Sequence, residues 1–318
     1  MRKKDKRKII SLMLCLSILL GTKHSYNLYM KKHPEKLYKL DSSDKIISLV
    51  DNDFYDESLK IPSLGSMVPQ GIAMNDEYIF LSLYDSLKLS KSMIYVLDYD
   101  FNLKRKVLLD TYSHVGGISY DDANNYLWVS GTQGSVCAYE VDDVLSCSEI
   151  NAIYKNDKVG SDLLNYKGQK AVSFLNVYKN KLYIGNYTCV NDGTLKVYDI
   201  ECLDGKLNLK YDSKYVIPTM VQGVSFYTLN EQEYIMFSRS CGEDFKSYVQ
   251  IFKFNDDFNY KNIESVNLEL NPMLEQIYVD ECGNLCSIFE SNAVPYRKKV
   301  DEDYKVFSLN KYIKKSEN

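Results

Sequence analysis

The sequence predicts an all-β fold, a β-propeller of four-stranded antiparallel blades, with five blades expected and six as the alternative. Three observations carry this. Short apolar runs alternate with Asp, Asn and Gly turns through most of the chain, which is the pattern of strands and hairpins. The runs recur in sectors that begin about 46 to 56 residues apart, each holding about four strands, the period of a propeller blade. The 318 residues include 28 Tyr and 12 Phe but only one Trp, a composition that favours strands, and no long helical periodicity interrupts the pattern.

The first sector runs GIAM from Gly71, then EYIFLSLYD (77–85), SMIYVLDYD (92–100) and KRKVLLD (104–110). The second starts at Gly117 with GISYDD, then NYLWVSGTQ (125–133), SVCAYEV (135–141) and EINAIYK (149–155). The third is AVSFLNVYKN (171–180), KLYIGNYT (181–188), GTLKVYDI (193–200) and LKYDSKYVI (209–217). The fourth starts at Gly223 with GVSFYT, then EYIMFSRS (233–240), YVQIFKF (248–254) and ESVNLEL (264–270). The fifth holds LEQIYVD (274–280), NLCSIFES (284–291) and KVFSLNKYI (305–313), one strand short. Propellers cover their open edges by closing the ring, and DKIISLVD (44–51) is the strand expected to complete the fifth sector. The insertion Lys158–Lys170 is expected to hold a short helix.

Ahead of the repeats, Met1–Lys8 carries six basic residues and one acid, and Ile9–Gly21 follows as 13 uncharged, mostly apolar residues. A basic start and an apolar run of that length form the pattern of an export signal, and the run is short for a membrane span. The expected organisation is residues 1–25 as export signal or N-terminal membrane anchor, 26–43 as linker and 44–318 as one propeller domain. The expected location is extracytoplasmic, secreted or anchored, with membrane contact through the N-terminal segment only. Residues 1–25 hold seven of the 39 Lys and Arg and one of the 43 Asp and Glu, so the rest of the chain has a net charge of −10. An acidic body does not neutralise phosphates, which excludes nucleic acid as a partner.

The eight cysteines are too few for a disulfide scaffold. The seven in the body, an odd number, read mainly as buried free thiols on strands, with Cys137/Cys147 and Cys282/Cys286 near enough in sequence to pair. His114 is the only histidine within the repeats, so a zinc site with two or three histidines is excluded there and a Ser-His-Asp triad would have to use it. There is no G-x-S-x-G elbow, P-loop or Rossmann glycine pattern.

In a blade the start of the first strand lies beside the end of the second, so two sets of residues converge on one face. The first set is Gln70 in VPQGIA, His114 in HVGGIS, Gln222 in VQGVSF and Glu275 in LEQIY. The second is Asp85, Gln133, Asn186, Arg239 and Glu290. Gln70 and Gln222 hold equivalent places, taken by Gly116 in the second sector, and the following glycines (Gly71, Gly117, Gly223) suit close packing at a narrow axis. The candidate binding residues are Gln70, His114, Asn186, Gln222, Arg239, Glu275 and Glu290. Five of them have a structural reading beside this: the glutamines bond backbones around the ring, His114 is a satisfied structural residue, and Arg239 pairs with Glu290.

With VPQGIA…YIFLSLYD…IYVLDYD, HVGGISYD…YLWVSG and VQGVSF…YIMFSRS, the chain resembles the bacterial exported propellers, including gluconolactonase-like and NHL-type proteins, over about 65–313. That resemblance implies a divalent metal such as calcium in the channel, held by a Glu, Asn residues and an Asp; Glu275 alone matches in type and place. It is similar in shape also to five-bladed glycosidases, which work through paired carboxylates, here Glu275 with Glu290 or Asp85. The leading expectation is an exported or membrane-tethered propeller that binds a small molecule, glycan or protein at the cell surface without catalysis. The alternative is a metal-dependent hydrolase or lactonase acting on a sugar-derived substrate, with Glu275 as metal ligand.

Overall fold

The computed structural model describes residues 25, 27–41, 44–49, 57–59, 61, 64–203, 206–293, 295–296 and 304–309. The chain divides into two compact units, Met1–Ser42 and Ser43–Asn318. In the first unit, inside the segment expected as linker, Pro34–Tyr38 form a short helix, α1. Pro34 starts it, where a missing N–H breaks no helical bond, and Lys39 ends it in the left-handed conformation at φ 51°. The predicted export head lies outside the described residues except for Ser25. No helix among the described residues is long and apolar enough to cross a membrane.

The second unit is all-β. It opens with β1 (Lys45–Ser48) and β2 (Glu57–Leu59). The first sheet then follows as β3 (Met67–Met74), β4 (Ile79–Asp85), β5 (Met93–Leu97) and β6 (Leu103–Leu109). Next come β7 (Ile118–Asp121), β8 (Tyr126–Ser130), β9 (Val136–Glu140), helix α2 (Val141–Ser146), β10 (Glu149–Ile150) and β11 (Tyr154–Asn156). The third sheet is β12 (Phe174–Tyr178), β13 (Lys181–Gly185), β14 (Gly193–Leu203) and β15 (Lys206–Ile217). The fourth is β16 (Val221–Leu229), β17 (Gln232–Arg239), β18 (Ser247–Lys253) and β19 (Val266–Leu270). The chain finishes with β20 (Leu274–Val279), β21 (Asn284–Phe289) and β22 (Tyr304–Ser308).

The strands form five sheets. Four are blades whose antiparallel meanders each use one stretch of chain; the fifth joins β20, β21 and β22 to β2 from the other end. The inner strands β3, β7, β12, β16 and β20 contact one another in sequence, and β20 contacts β3, so the ring is closed. No sixth sheet occurs among the described residues. A separate apolar cluster fills each interface between adjacent sheets, including the one between the fifth and the first, where Ile288 meets Ile72 and Leu81. The second strands are therefore covered on both faces. In β4, Leu81 and Leu83 enter one cluster while Phe80 enters the next, and in β17 Met236 and Phe237 separate in the same way. This is why the second strands read as unbroken apolar runs rather than alternating ones.

Three expectations about single segments are corrected. The segment 44–51 does not complete the fifth sheet. Its β1 pairs parallel with β19 of the fourth, Lys45 opposite Val266, while β2 pairs antiparallel with β22 and closes the ring. A closing strand must run antiparallel to its neighbour in a meander, and β1 runs the other way; it covers an outer edge instead. The stretch 149–155 is not one strand: β10 crosses to lie parallel to β6 of the first sheet, and β11 is the fourth strand of the second. Lys158–Lys170 contains no helix. It is a loop held by the bridge Leu164–Lys170 and by Asn165, whose Oδ1 accepts from the N–H of Lys167 and of Gln169.

The axis is filled by Gln276, which is fully buried. Its amide donates to Ile72 O (3.1 Å) and Ile118 O (2.6 Å), and its Oε1 accepts from Ile118 N (2.9 Å), so one side chain on the fifth sheet holds the first and second. Three serines act similarly between neighbours: Ser82 donates to Val115 O, while Ser119 and Ser225 accept from Val177 N and Val279 N. A Cβ on Gly71 would lie 2.6 Å from Gln276 Oε1 and one on Gly223 2.8 Å from Gln276 Cα. These glycines are required by close approach, not by backbone angle. Replacing Gln276 with Leu strips three buried backbone groups of partners, and each such loss costs about 1–3 kcal/mol. Urea denaturation of Gln276→Leu is expected to give a stability at least about 3 kcal/mol below the parent.

Candidate functional site

Gln70, Gln222 and Glu275 are each placed by a β-bulge. The register between β3 and β4 shifts between Pro69 and Gly71, that between β16 and β17 shifts between Val221 and Gly223, and that between β20 and β21 shifts between Leu274 and Ile277. A bulge inserts an unpaired residue and re-aims its side chain. The third one lets consecutive side chains both serve the axis: Gln276 fills the channel, and Glu275 reaches the cavity above it.

That cavity has a volume of about 910 Å³. It lies on the face where first strands begin and second strands end. Gln70, His114, Gln222, Glu275 and Glu290 line it, together with Gly116 and Gln133. Its floor holds two glutamine–glutamate pairs. Gln70 Nε2 donates to Glu290 Oε1 at 2.8 Å and to Pro69 O at 3.0 Å. Gln222 Nε2 donates to Glu275 Oε1 at 3.1 Å. The glutamines thus engage the carboxyls, and bonding to neighbouring backbones falls to Gln276, a residue the sequence reading passed over. The signal for it was present: LEQIY has two polar residues in succession where a strand with both faces buried has room for none.

Both carboxyls are shifted toward the neutral form. Burial raises Glu275 well above its ordinary value, and the nearby Glu290 raises it further. Burial pushes Glu290 up to about 7, against the hydrogen bond from Gln70, which lowers it. Tyr84 stands beside the pair, its phenol raised by burial and then by the charge of Glu290. His114 packs its ring on Tyr84 with centroids 4.2 Å apart. The imidazole is open to the water of the cavity but sits deep among protein atoms. That burial, followed by the charges of Lys167 and Lys88, holds its pKa below the usual histidine value.

Two candidates are spent on structure. Arg239, 2% exposed, donates to Thr219 O, Thr219 Oγ1 and Gln250 Oε1; these partners hold its guanidinium, and the expected pair with Glu290 does not form. Asn186 donates to Leu164 O and accepts from Thr194 N, tying the 158–170 loop to the third sheet. Asp85 accepts the N–H groups of Leu87, Leu89 and Ser90 as the anchor of a turn. The loop and the strand ends also bring in residues that single strands did not reveal: Tyr166, Lys167, Lys170, Tyr187 and Tyr296. Cys137, Cys147, Cys189, Cys202 and Cys241 carry free thiols; Cys137 and Cys286 are buried, and Cys202 and Cys282 are exposed.

The donor set does not fit a dedicated calcium site. Calcium takes six to eight oxygens. The floor offers two carboxyls, each already accepting a glutamine amide hydrogen, and no group of three or more His, Cys, Asp or Glu occurs among the described residues. Nor does a catalytic triad assemble, since no carboxylate among the described residues orients His114 by a hydrogen bond.

No family model matches the chain, and no curated protein does. The chain is similar to solved propellers at low identity. RRP9 WD40 repeats share 7% identity over 79% of this chain and 98% of that one, with a TM-score of 0.44. The β-propeller domain of Cps50 (Swd1) from Myceliophteria thermophila shares 11% over 73% and 67%, at 0.36. The Dos1 propeller shares 11% over 78% and 59%, at 0.38. The β-propeller fold rests on the sheet topology described above. The resemblance to gluconolactonase-like and NHL-type proteins gains nothing from these comparisons.

Glu290 has a consequence for stability. Its folded pKa of about 7 exceeds the ordinary 4.5, so the native state keeps a proton that the unfolded chain releases. Its favourable contribution is complete below about pH 4.5 and is lost as pH rises through about 7. Glu290→Gln is expected to gain on the parent across that window, by about 3 kcal/mol at pH 8. Urea titrations of both proteins at pH 5 and pH 8 measure the difference, and an equal gap at the two values would refute it.

Proposed function

We propose that this chain is a binding propeller whose channel-face cavity takes a small polar ligand, free or as the end of a glycan or peptide. One observation carries the reading. Three bulged inner strands turn polar side chains into a cavity of about 910 Å³. Cavities of roughly 300–1,000 Å³ with a few convergent polar groups are the ordinary form of small-molecule sites. The basic head and apolar run at the N-terminus support action outside the cytoplasm, secreted or tethered to the membrane. Fractionation of the full chain in an exporting cell checks that part: a protein retained in the cytoplasm contradicts it.

A hydrolytic reading on a sugar-derived substrate draws on the Glu275–Glu290 pair, whose coupling resembles that of an acid and its partner. It predicts lactone or glycoside turnover that falls with Glu275→Gln. Turnover insensitive to Glu275→Gln and to His114→Ala removes it.

For the binding reading the test is a thermal-shift screen of lactones, mono- and disaccharides and dipeptides. A compound that raises the melting temperature of the parent is expected to lose its effect in the triple variant Gln70→Ala, Gln222→Ala, Glu275→Ala. The variant should keep its circular dichroism spectrum. Unchanged binding in a folded triple variant excludes this face as the site.

A further inference from the structure

The cavity separates charge along its depth. At the floor, Glu290 lies close enough to raise Glu275, both acids raise Tyr84, and their hydrogen-bond partners are neutral amides. Glu275 is 4% exposed; its Oε1 takes the Gln222 amide, and no donor among the described residues bonds its second oxygen. No basic side chain among the described residues pairs with either acid. At the rim, Lys167 and Lys170 are exposed, line the same cavity and form no ion pair among the described residues. Lys167 lies over the Tyr166 ring at 5.2 Å, and Tyr166 meets Tyr187 edge-on at 5.9 Å. Between floor and rim stand the aromatic faces of Tyr84, Tyr187 and Tyr296.

Two buried carboxyls without a counter-charge are unfavourable, and burial shifts both toward the neutral form. A ligand ammonium supplies the missing charge and hydrogen-bond donors at once, and tyrosine faces favour a cation further. A lone cation would meet two lysines on entry; a molecule with an anionic group at its other end is drawn to them instead. We infer that the cavity binds a zwitterionic small molecule of the amino-acid or short-peptide class, its ammonium against Glu275 and Glu290 and its anionic group against Lys167 and Lys170. This rests on the binding reading above and names the ligand class for that site. On binding near pH 7, protons leave the carboxyls for the buffer as the ammonium takes their place. The other titratable or charged groups lining the cavity are Tyr84, Tyr187, Tyr296, His114, Cys189 and Cys241 and, from the loop, Tyr166, Lys167 and Lys170.

The test is calorimetry on the full chain with free amino acids and dipeptides, their N-acetyl and C-amide derivatives, and neutral disaccharides. Expected is binding by at least one free zwitterion, lost on N-acetylation and weakened on amidation. The apparent enthalpy should differ between phosphate and Tris buffers in the sense of proton release. Glu275→Gln with Glu290→Gln keeps the shape of the floor and is expected to fold, with its melting temperature as the control, and to lose affinity by at least about tenfold. Lys167→Ala with Lys170→Ala should weaken free zwitterions more than their C-amides. Binding of a neutral disaccharide alone, abolished in the Gln70/Gln222/Glu275 triple variant, would overturn the zwitterion and leave the binding reading standing. Binding by no probe at all would count against both.

Discussion

Five inner strands meet around an axis that leaves almost no room for side chains, and the rest of the domain follows from how that crowding is relieved. Gly71 and Gly223 have no Cβ where one would collide with Gln276, and Gly117 has none where it would collide with the Leu175 backbone. The space that remains takes a single amide. Gln276 uses donor and acceptor together, bonding Ile72 and Ile118 on two other sheets. The fifth sheet, which is assembled from both chain ends, is thereby locked to the first two at the centre as well as at its rim.

The same crowding produces the cavity. A strand passing the axis cannot place consecutive polar side chains on one side without breaking its ladder. The bulges at Gln70, Gln222 and Glu275–Gln276 break it locally and leave the apolar clusters intact below. The outcome is a buried carboxyl pair that works against stability above neutral pH, because each acid is raised by burial. Shifted carboxyls held in a cleft on a rigid frame are the ground for the binding role proposed above.

The N-terminal region contributes through two short strands that perform different tasks. β1 lies parallel along β19 at the outside of the fourth sheet, while β2 pairs antiparallel with β22. The segment with the stronger apolar pattern, DKIISLVD, took the edge, and the weaker one, ESL, took the closing position. Apolar pattern reports burial and strand propensity; it carries no information on strand direction or partner.

Much of the architecture was legible from residues. The recurring runs YIFLS, YLWVS and YIMFS identified the second strands, and the glycines at 71, 117 and 223 marked the narrow axis. The convergence of first-strand starts with second-strand ends put Gln70, His114, Gln222, Glu275 and Glu290 on one cavity, because blade topology makes that juxtaposition unavoidable. Asn186 and Arg239 met the same rule and were drawn into Leu164, Thr194, Thr219 and Gln250, since the nearest backbone or amide partner is a matter of distances a sequence does not contain. The register shifts, the pairing of each glutamine with a glutamate, and the rim lysines carried in by the 158–170 loop were decided only by tertiary structure. Local pattern determines which residues are apolar and how they repeat. Which polar groups face each other depends on a few ångströms of backbone displacement set by packing across blades, and that is where the chemistry of this protein resides.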